Sequence, residues 1–88
     1  MINNIELIGL TAAILTTIAF VPQVIKVIRS KKTNNLSLTT YVIFTFGIGL
    51  WLVYGLFKKS ISMILGNGIT LVLSSLILYY IFLGKKSN

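Results

Sequence analysis

Three apolar runs, at residues 7–28, 38–57 and 61–83, occupy most of this chain. Each is about 20 residues long or slightly longer, which is the length a helix needs to cross the hydrocarbon core of a bilayer. Inside lipid the backbone has to satisfy its own hydrogen bonds, and a helix does so within one segment. The sequence therefore predicts an all-α membrane protein in which residues 1–88 form a single domain of three transmembrane helices.

The composition supports a bilayer as the natural solvent. Hydrophobic residues make up 56% of the chain and charged residues only 10%, against about 25% charged residues in ordinary globular proteins. The chain has no cysteine, no histidine and a single acidic residue. This inventory argues against disulfides, metal sites and acid–base catalysis. We therefore expect neither an enzyme nor a bound metal or cofactor.

The basic residues all lie at or beyond the ends of the apolar runs, as charges that set membrane topology do. They are Lys26, Arg29, Lys31, Lys32, Lys58, Lys59, Lys85 and Lys86. No basic stripe alternates with exposed aromatic residues, so nucleic acid is not an expected partner. The connection at residues 30–37 with its flanking Lys26 and Arg29, together with the C-terminal tail, carries six of the eight basic residues. The positive-inside rule then predicts that the N-terminus is outside and the C-terminus cytoplasmic.

The only proline, Pro22, lies within the first run and is followed by Gln23. A proline inside a helix removes one backbone N–H and clashes with the carbonyl one turn earlier. In lipid that freed carbonyl needs another partner, and the neighbouring amide of Gln23 is the expected one. We interpret this pair as a hinge in a helix that has to move.

Each predicted helix also carries one semi-polar stripe at spacings of three and four residues. Helix 1 has Thr16, Phe20 and Gln23; helix 2 has Thr40, Phe44, Gly47, Trp51, Tyr54 and Lys58; helix 3 has Ser60, Met63, Asn67, Thr70 and Ser74. Such stripes indicate helix packing or a cavity, because lipid gains nothing from them. Three helices do not surround a solute, whereas two parallel copies about a twofold axis do.

Two residues of these stripes lie deep in their spans, and each can be interpreted as a ligand-binding residue or as a packing residue. Trp51 is too deep for an interfacial aromatic belt. Asn67 is suited to binding a ligand, but a buried asparagine joins helices at least as often. The serine and threonine hydroxyl groups in the stripes are similarly suited to hydrogen bonds with backbone carbonyls of their own helix. Glycines such as Gly47, Gly49, Gly66 and Gly68 are expected to allow close helix approach.

In order along the chain, a set of residues resembles the bacterial SemiSWEETs, the half-size relatives of SWEET sugar transporters in the PQ-loop class. These are Phe20-Val21-Pro22-Gln23, a basic connection, Ser37, Tyr41, Gly47, Trp51, Tyr54-Gly55 and Asn67. The resemblance implies a three-helix bundle with helix 3 between helices 1 and 2. It also implies a parallel homodimer in the bacterial inner membrane. The dimer would move a small mono- or disaccharide by alternating access, as facilitated diffusion.

The resemblance also implies roles for particular residues. Trp51 and Asn67 match the pocket positions, Phe20 an aromatic position beside the pocket, and Pro22-Gln23 the hinge. Thr40 and Phe44 match the cytoplasmic gate, and Tyr54 and Lys58 match the outer gate. Some relatives carry an arginine at the position of Lys58 and an acid at that of Ser60, so no ion-pair latch is expected here.

The chemistry of these residue types suits a sugar. An indole face stacks on the C–H face of a pyranose, and an amide both donates to and accepts from hydroxyl groups. The single acid, Glu6, precedes the first run, so the spans contain no group for proton coupling.

Two other functions stay open from the sequence. One is a small accessory or assembly subunit without transport activity, whose stripes are packing seams. The other is a pore-forming peptide of the holin kind, which would leak without selectivity and would have no use for the bend at Pro22.

Overall fold

The computed structural model describes residues 3–87, and it is all-helical. Helix α1 runs Asn4–Ser30, α2 Leu38–Lys58 and α3 Ile61–Ser87. All three are long and apolar enough to cross a membrane by length and composition. Each helix covers one of the three apolar runs, and the largest difference in bounds is at the end of α3, which ends at residue 87 rather than 83.

Local capping explains where α1 and α2 begin and end. The Asn3 side chain accepts from the Glu6 N–H at 2.8 Å, and the predicted cap Ser37 accepts from the Thr40 N–H at 3.1 Å. At the end of α1, Lys31 is left-handed (φ 57°) and its N–H donates to the Val27 carbonyl at 2.7 Å. These bonds satisfy backbone groups that helix ends leave unpaired.

A two-residue connection, Lys59 and Ser60, joins α2 to α3. Lys59 is left-handed (φ 55°), and the Ser60 N–H donates to the Gly55 carbonyl at 3.0 Å. The Ser60 Oγ then accepts from the Met63 N–H at 3.3 Å and so caps α3. The predicted tight antiparallel hairpin is confirmed. We call this end of the bundle the hairpin end, and the end with the α1–α2 connection the loop end.

Helix α3 lies between the other two helices, as the resemblance implied. It packs against both α1 and α2, whereas no α-carbon of α1 comes within 8 Å of one in α2 among the described residues. The bundle is therefore a slab, with principal dimensions of 49 × 22 × 14 Å. Its core lies toward the loop end and consists of Val24 and Val27 from α1 with Ile77 and Ile81 from α3.

The polar stripe of α3 serves packing as well as the groove described below. Ser74 is fully buried, and its hydroxyl forms a short hydrogen bond with the Thr45 hydroxyl of α2. Ser74 therefore joins two helices across 29 residues of chain. Its partner Thr45 lies off the stripe predicted for α2, so sequence spacing did not identify it.

The glycines divide into two groups, which corrects part of the sequence interpretation. A Cβ added at Gly55 would lie 2.8 Å from the Met63 Cβ, and one at Gly66 would lie 3.0 Å from the Ala13 Cβ. A Cβ at Gly47 or Gly49 would meet nothing within 4 Å. Close approach within the chain therefore requires Gly55 and Gly66, and not Gly47 or Gly49.

This contrast gives a stability prediction. Gly55→Ala forces Met63 to shift, whereas Gly49→Ala fits into open space on the same helix. Both changes gain the same helix propensity, and overpacking costs typically 1–3 kcal/mol. We expect the free energy of unfolding of Gly55→Ala to be lower than that of Gly49→Ala by about 1–3 kcal/mol, measured by thermal or denaturant unfolding in detergent. Equal stability would mean that Met63 moves aside without cost.

Candidate functional site

An open groove of about 370 Å³ runs along α3 in the half of the bundle nearer the hairpin end. All three helices contribute to its walls, and α1 offers only small side chains and a glycine. The lining residues are Gly9, Ala12, Ala13, Thr16, Phe44, Ile48, Ser62, Met63, Gly66, Asn67 and Thr70. The described part of the lining is uncharged, so the groove combines an amide and hydroxyl groups with apolar surface.

Asn67 lies in this groove with part of its hydrogen-bonding capacity used. Its Nδ2 donates to the Met63 carbonyl one turn earlier, at 3.0 Å. One amide hydrogen and the Oδ1 have no partner among residues 3–87. An amide in this state offers both a donor and an acceptor to a ligand.

Trp51 is not among the residues that line the groove, whereas Asn67 is. Its side chain is 54% exposed, and its ring centroid lies 5.6 Å from that of Tyr54 in an edge-to-face arrangement. The Lys58 Nζ is 6.0 Å from the centroid of the Tyr54 ring. Trp51, Tyr54 and Lys58 thus form a column along one exposed edge of α2. The contact at the hairpin end is cation–aromatic rather than an ion pair.

A second aromatic group lies nearer the loop end and bridges α1 to α2. The rings of Phe20 and Phe44 have centroids 6.4 Å apart, and Tyr41 meets Phe44 edge to face, also at 6.4 Å. Phe20 also packs against the buried core. It therefore contacts the predicted gate residue Phe44 and reaches the groove only through it. Thr40 is exposed, and its described hydrogen bond is that of its backbone to the Ser37 cap.

The Pro22–Gln23 pair differs in part from the prediction. Helix α1 continues through Pro22 without interruption. Gln23 is exposed and makes no hydrogen bond within the described residues, so its predicted bond to the freed carbonyl is wrong. The freed carbonyl lies one turn before Pro22, on the same side of the helix as the proline ring. Gln23 lies about 100° further around the helix. The Gln23 side chain instead lines a second cavity at the loop end.

Glu6 makes a further polar contact that sequence reasoning missed. Its carboxylate accepts from the Ser60 Oγ at 2.9 Å and from the Ser62 N–H at 3.0 Å. This carboxylate joins the start of α1 to the start of α3, where backbone N–H groups favour negative charge. An acid before the first run and a serine cap before the third run were the available signals. Their pairing across 54 residues is a tertiary contact.

These side chains can bind a ligand but offer little chemistry for a reaction. Among residues 3–87 no group of three histidine, cysteine or acidic side chains is placed to hold a metal ion. Glu6, the only side-chain carboxylate, is engaged in the contact with α3. The groove suits a neutral molecule that carries hydroxyl groups and apolar faces.

Comparison with known proteins gives a consistent result. Residues 5–64 match the PQ loop repeat family. The sugar transporter SemiSWEET of Leptospira biflexa is 45% identical over 75 residues, which cover 85% of this chain and 88% of that protein. SemiSWEET of Escherichia coli is 34% identical over 86 residues, 98% of this chain and 97% of that protein. A crystal structure of SemiSWEET in the inward-open conformation superposes with a TM-score of 0.91 at 34% identity, covering 98% of this chain and 100% of the other.

Proposed function

This chain belongs to the SemiSWEET proteins of the PQ-loop family, and we propose that it moves a small mono- or disaccharide across the membrane by alternating access. The carrier is a parallel homodimer that works by facilitated diffusion. The observation that carries this proposal is the open, uncharged groove with a partly unpaired amide in its wall.

The dimer proposal follows from what a single chain leaves incomplete. The groove is open along one side, and the Trp51–Tyr54 edge of α2 is about half exposed. A twofold axis along the membrane normal would place two such edges and two grooves opposite each other. Trp51 of one copy and Asn67 of either copy would then share one central pocket, which no single chain supplies.

Within that pocket, Trp51 would stack on the apolar face of a pyranose, and Asn67 would hydrogen-bond its hydroxyl groups. The two aromatic groups would close the pocket in turn. Phe44 and Thr40 form the gate at the loop end, and Phe20, whose ring contacts that of Phe44, lies beside the pocket. Tyr54 and Lys58 form the gate at the hairpin end. Pro22, two residues beyond Phe20, is the hinge that lets α1 move one gate without the other.

We further propose that the loop end faces the cytoplasm of a bacterial cell and that the protein lies in the inner membrane. Lys26, Arg29, Lys31 and Lys32 are all at or near the loop end, and the sequence continues with Lys85 and Lys86 after the third span. The hairpin end has Lys58 and Lys59, partly offset by Glu6. This asymmetry supports an outside N-terminus and a cytoplasmic C-terminus.

Uptake of a panel of labelled sugars into proteoliposomes containing the purified protein tests the function. A carrier shows uptake that saturates and that unlabelled sugars compete away. An accessory subunit shows no uptake above empty liposomes. A pore shows entry that rises linearly with concentration and does not distinguish sugars from other small solutes. Either of these two results would refute the proposal.

The dimer makes a separate prediction. The chain has no cysteine, so single-cysteine variants can be compared directly. Gly47 lies on the same edge of α2 as Trp51, where a Cβ would meet nothing within 4 Å. Phe46 is 72% exposed and points to a different side of the helix. We expect Gly47→Cys to crosslink with its own copy through a short bifunctional thiol reagent, and Phe46→Cys to crosslink much less. A strictly monomeric protein that still transports would contradict the dimer.

Proton coupling is not expected. The described groove has no titratable group, and the single acid is bound to the start of α3 at the hairpin end. Initial uptake rates should therefore be the same with and without an imposed proton gradient, measured in liposomes with a matched potassium-diffusion potential. Accumulation of sugar above its external concentration when the outside is acidified would show coupling.

A further inference from the structure

A second cavity, of about 570 Å³, lies at the loop end, and its charged lining does not suit a neutral sugar. One side is the last two turns of α1 and the other is the connection that follows. It is lined by Gln23, Lys26, Val27, Ser30, Lys32, Asn34, Asn35 and Leu36. Among the lining residues that the structure describes, the polar side chains are two lysines, three amides and a serine, so all of their charge is positive.

The walls of this cavity are held in place by local hydrogen bonds and packing. The Ser30 Oγ donates to the Lys26 carbonyl at 2.8 Å and accepts from the Lys32 N–H at 3.2 Å. The Leu36 N–H donates to the Thr33 carbonyl at 3.0 Å, and the Leu36 side chain packs against the core. Leu36 thus ties the connection to the core, and Lys32 of the connection lines the same cavity as Lys26 of α1.

No side-chain carboxylate is available to neutralise these two lysines. The only one in the chain belongs to Glu6 at the other end of α1. Twenty residues of helix separate Glu6 from Lys26, roughly 30 Å at 1.5 Å per residue. The Val27 carbonyl accepts from the Lys31 N–H, and the Lys26 carbonyl accepts from the Ser30 hydroxyl.

From this arrangement we propose that the loop-end cavity is a binding site for a phosphate group. Lys26 and Lys32 would supply two ammonium groups from opposite walls, and the Asn34 and Asn35 amides would supply neutral donors. Charge-assisted hydrogen bonds of this kind are about twice as strong as neutral ones. The phosphate would come either from an anionic lipid headgroup at the membrane surface or from a soluble sugar phosphate in the adjoining aqueous phase.

Gln23 connects this site to the transport cycle, and this step rests on the proposed function. The side chain beside the hinge residue Pro22 forms part of the cavity wall. A phosphate that holds the connection against α1 would restrain the half of α1 beyond the hinge. Occupancy would therefore slow the exchange between open states, and transport with it.

Thermal unfolding of the full chain in a neutral detergent tests binding without any need for transport. Three additions are compared: inorganic phosphate, glucose 6-phosphate, and phosphatidylglycerol against phosphatidylcholine. Sodium chloride at matched ionic strength is the reference for screening. A shift with the two soluble phosphates identifies a soluble ligand, and a shift only with phosphatidylglycerol identifies a lipid headgroup. Either result supports the site.

Two double variants with the same loss of charge decide whether the cavity is responsible. Lys26→Gln with Lys32→Gln removes both lysines that line it. Arg29→Gln with Lys31→Gln removes two neighbouring charges that do not. We expect the first variant to weaken phosphate affinity about tenfold or more, as loss of charge-assisted bonds implies. The second should change it about twofold at most, as expected for diffuse surface charge.

Three results would overturn the proposal: no shift beyond that of sodium chloride, equal losses in the two double variants, or loss of phosphate binding in Trp51→Ala. The last would place the phosphate in the sugar pocket instead. If phosphate binds as expected but no sugar is transported by any preparation, the site stands and the proposed function fails. If sugar transport is normal and phosphate does not bind, only the site fails.

Discussion

Trp51→Ala is expected to abolish or strongly reduce sugar uptake while the dimer still forms and inserts. Trp51 is about half exposed, contacts Tyr54 and is not part of the buried core, so its removal should leave that core intact. By analogy with nucleobases, one lost aromatic stack costs about 1–3 kcal/mol, and a dimer loses two. The two lost stacks total about 2–6 kcal/mol, so uptake should fall by about 25-fold or more, since every 1.4 kcal/mol is a factor of about ten.

A matched control is available on the same helix. Phe46 is also a large, exposed aromatic residue, 72% exposed against 54% for Trp51. Phe46→Ala removes a ring of similar exposure from outside the proposed pocket and should keep near-normal uptake. Loss of uptake in both variants, at equal protein levels in the liposomes, would mean that truncating any α2 ring disturbs the helix. Normal uptake in Trp51→Ala would assign this residue to packing.

Asn67→Ala completes the same test from the other wall of the pocket. Its described bond goes to a carbonyl within its own helix, so its loss should change stability little. Each lost hydrogen bond to sugar costs about 0.5–1.5 kcal/mol, so Asn67→Ala should reduce uptake. Ser74→Ala, on the same stripe, removes a buried bond to Thr45. We expect the opposite pattern there: lower stability and retained uptake. If the two variants behave alike, the stripe has one role throughout.

Pro22→Ala is expected to slow transport strongly while leaving sugar binding unchanged. Pro22 interrupts the hydrogen-bond ladder of α1 within a continuous helix. A proline in a helix interior costs about 3 kcal/mol relative to alanine, so the variant should be as stable as the wild type or more so. A straightened α1 opposes the bending that alternating access requires. Uptake should fall, and the melting temperature should not.

Binding can be followed in the same variant because Trp51 is the only tryptophan in the chain. Its fluorescence should change on addition of a transported sugar, with the same apparent affinity in wild type and Pro22→Ala. Val21→Ala changes the neighbouring residue without affecting the backbone ladder and should transport normally. Wild-type uptake by Pro22→Ala would show that the proline has no mechanical role.

The sequence predicted the fold well because one physical variable dominates it. Apolar runs of membrane length determine where helices lie, and Ser37 was recognisable as a cap from its position before a run. The central place of α3 needed the family resemblance, since helix order along a chain does not determine helix order in space.

The candidate site was less accessible to sequence reasoning. Periodicity shows which residues share a face of one helix, but not which face meets a neighbour. This is why the sequence did not show that Asn67 lines the groove whereas Trp51, equally deep in its own span, does not. The Glu6–Ser60 contact and the Thr45–Ser74 bond join residues far apart in sequence. The amide of Gln23 was assigned to the nearest backbone break, whereas it lines a cavity.

Counterflow in proteoliposomes tests the central claim most directly. Liposomes are loaded with a high concentration of unlabelled sugar and diluted into a trace of the same sugar carrying a label. A carrier that alternates between two open states should accumulate label transiently above its external concentration and then release it, and Trp51→Ala liposomes should show no such overshoot. Label that only rises to the external concentration, at a rate independent of the sugar inside, would contradict alternating access.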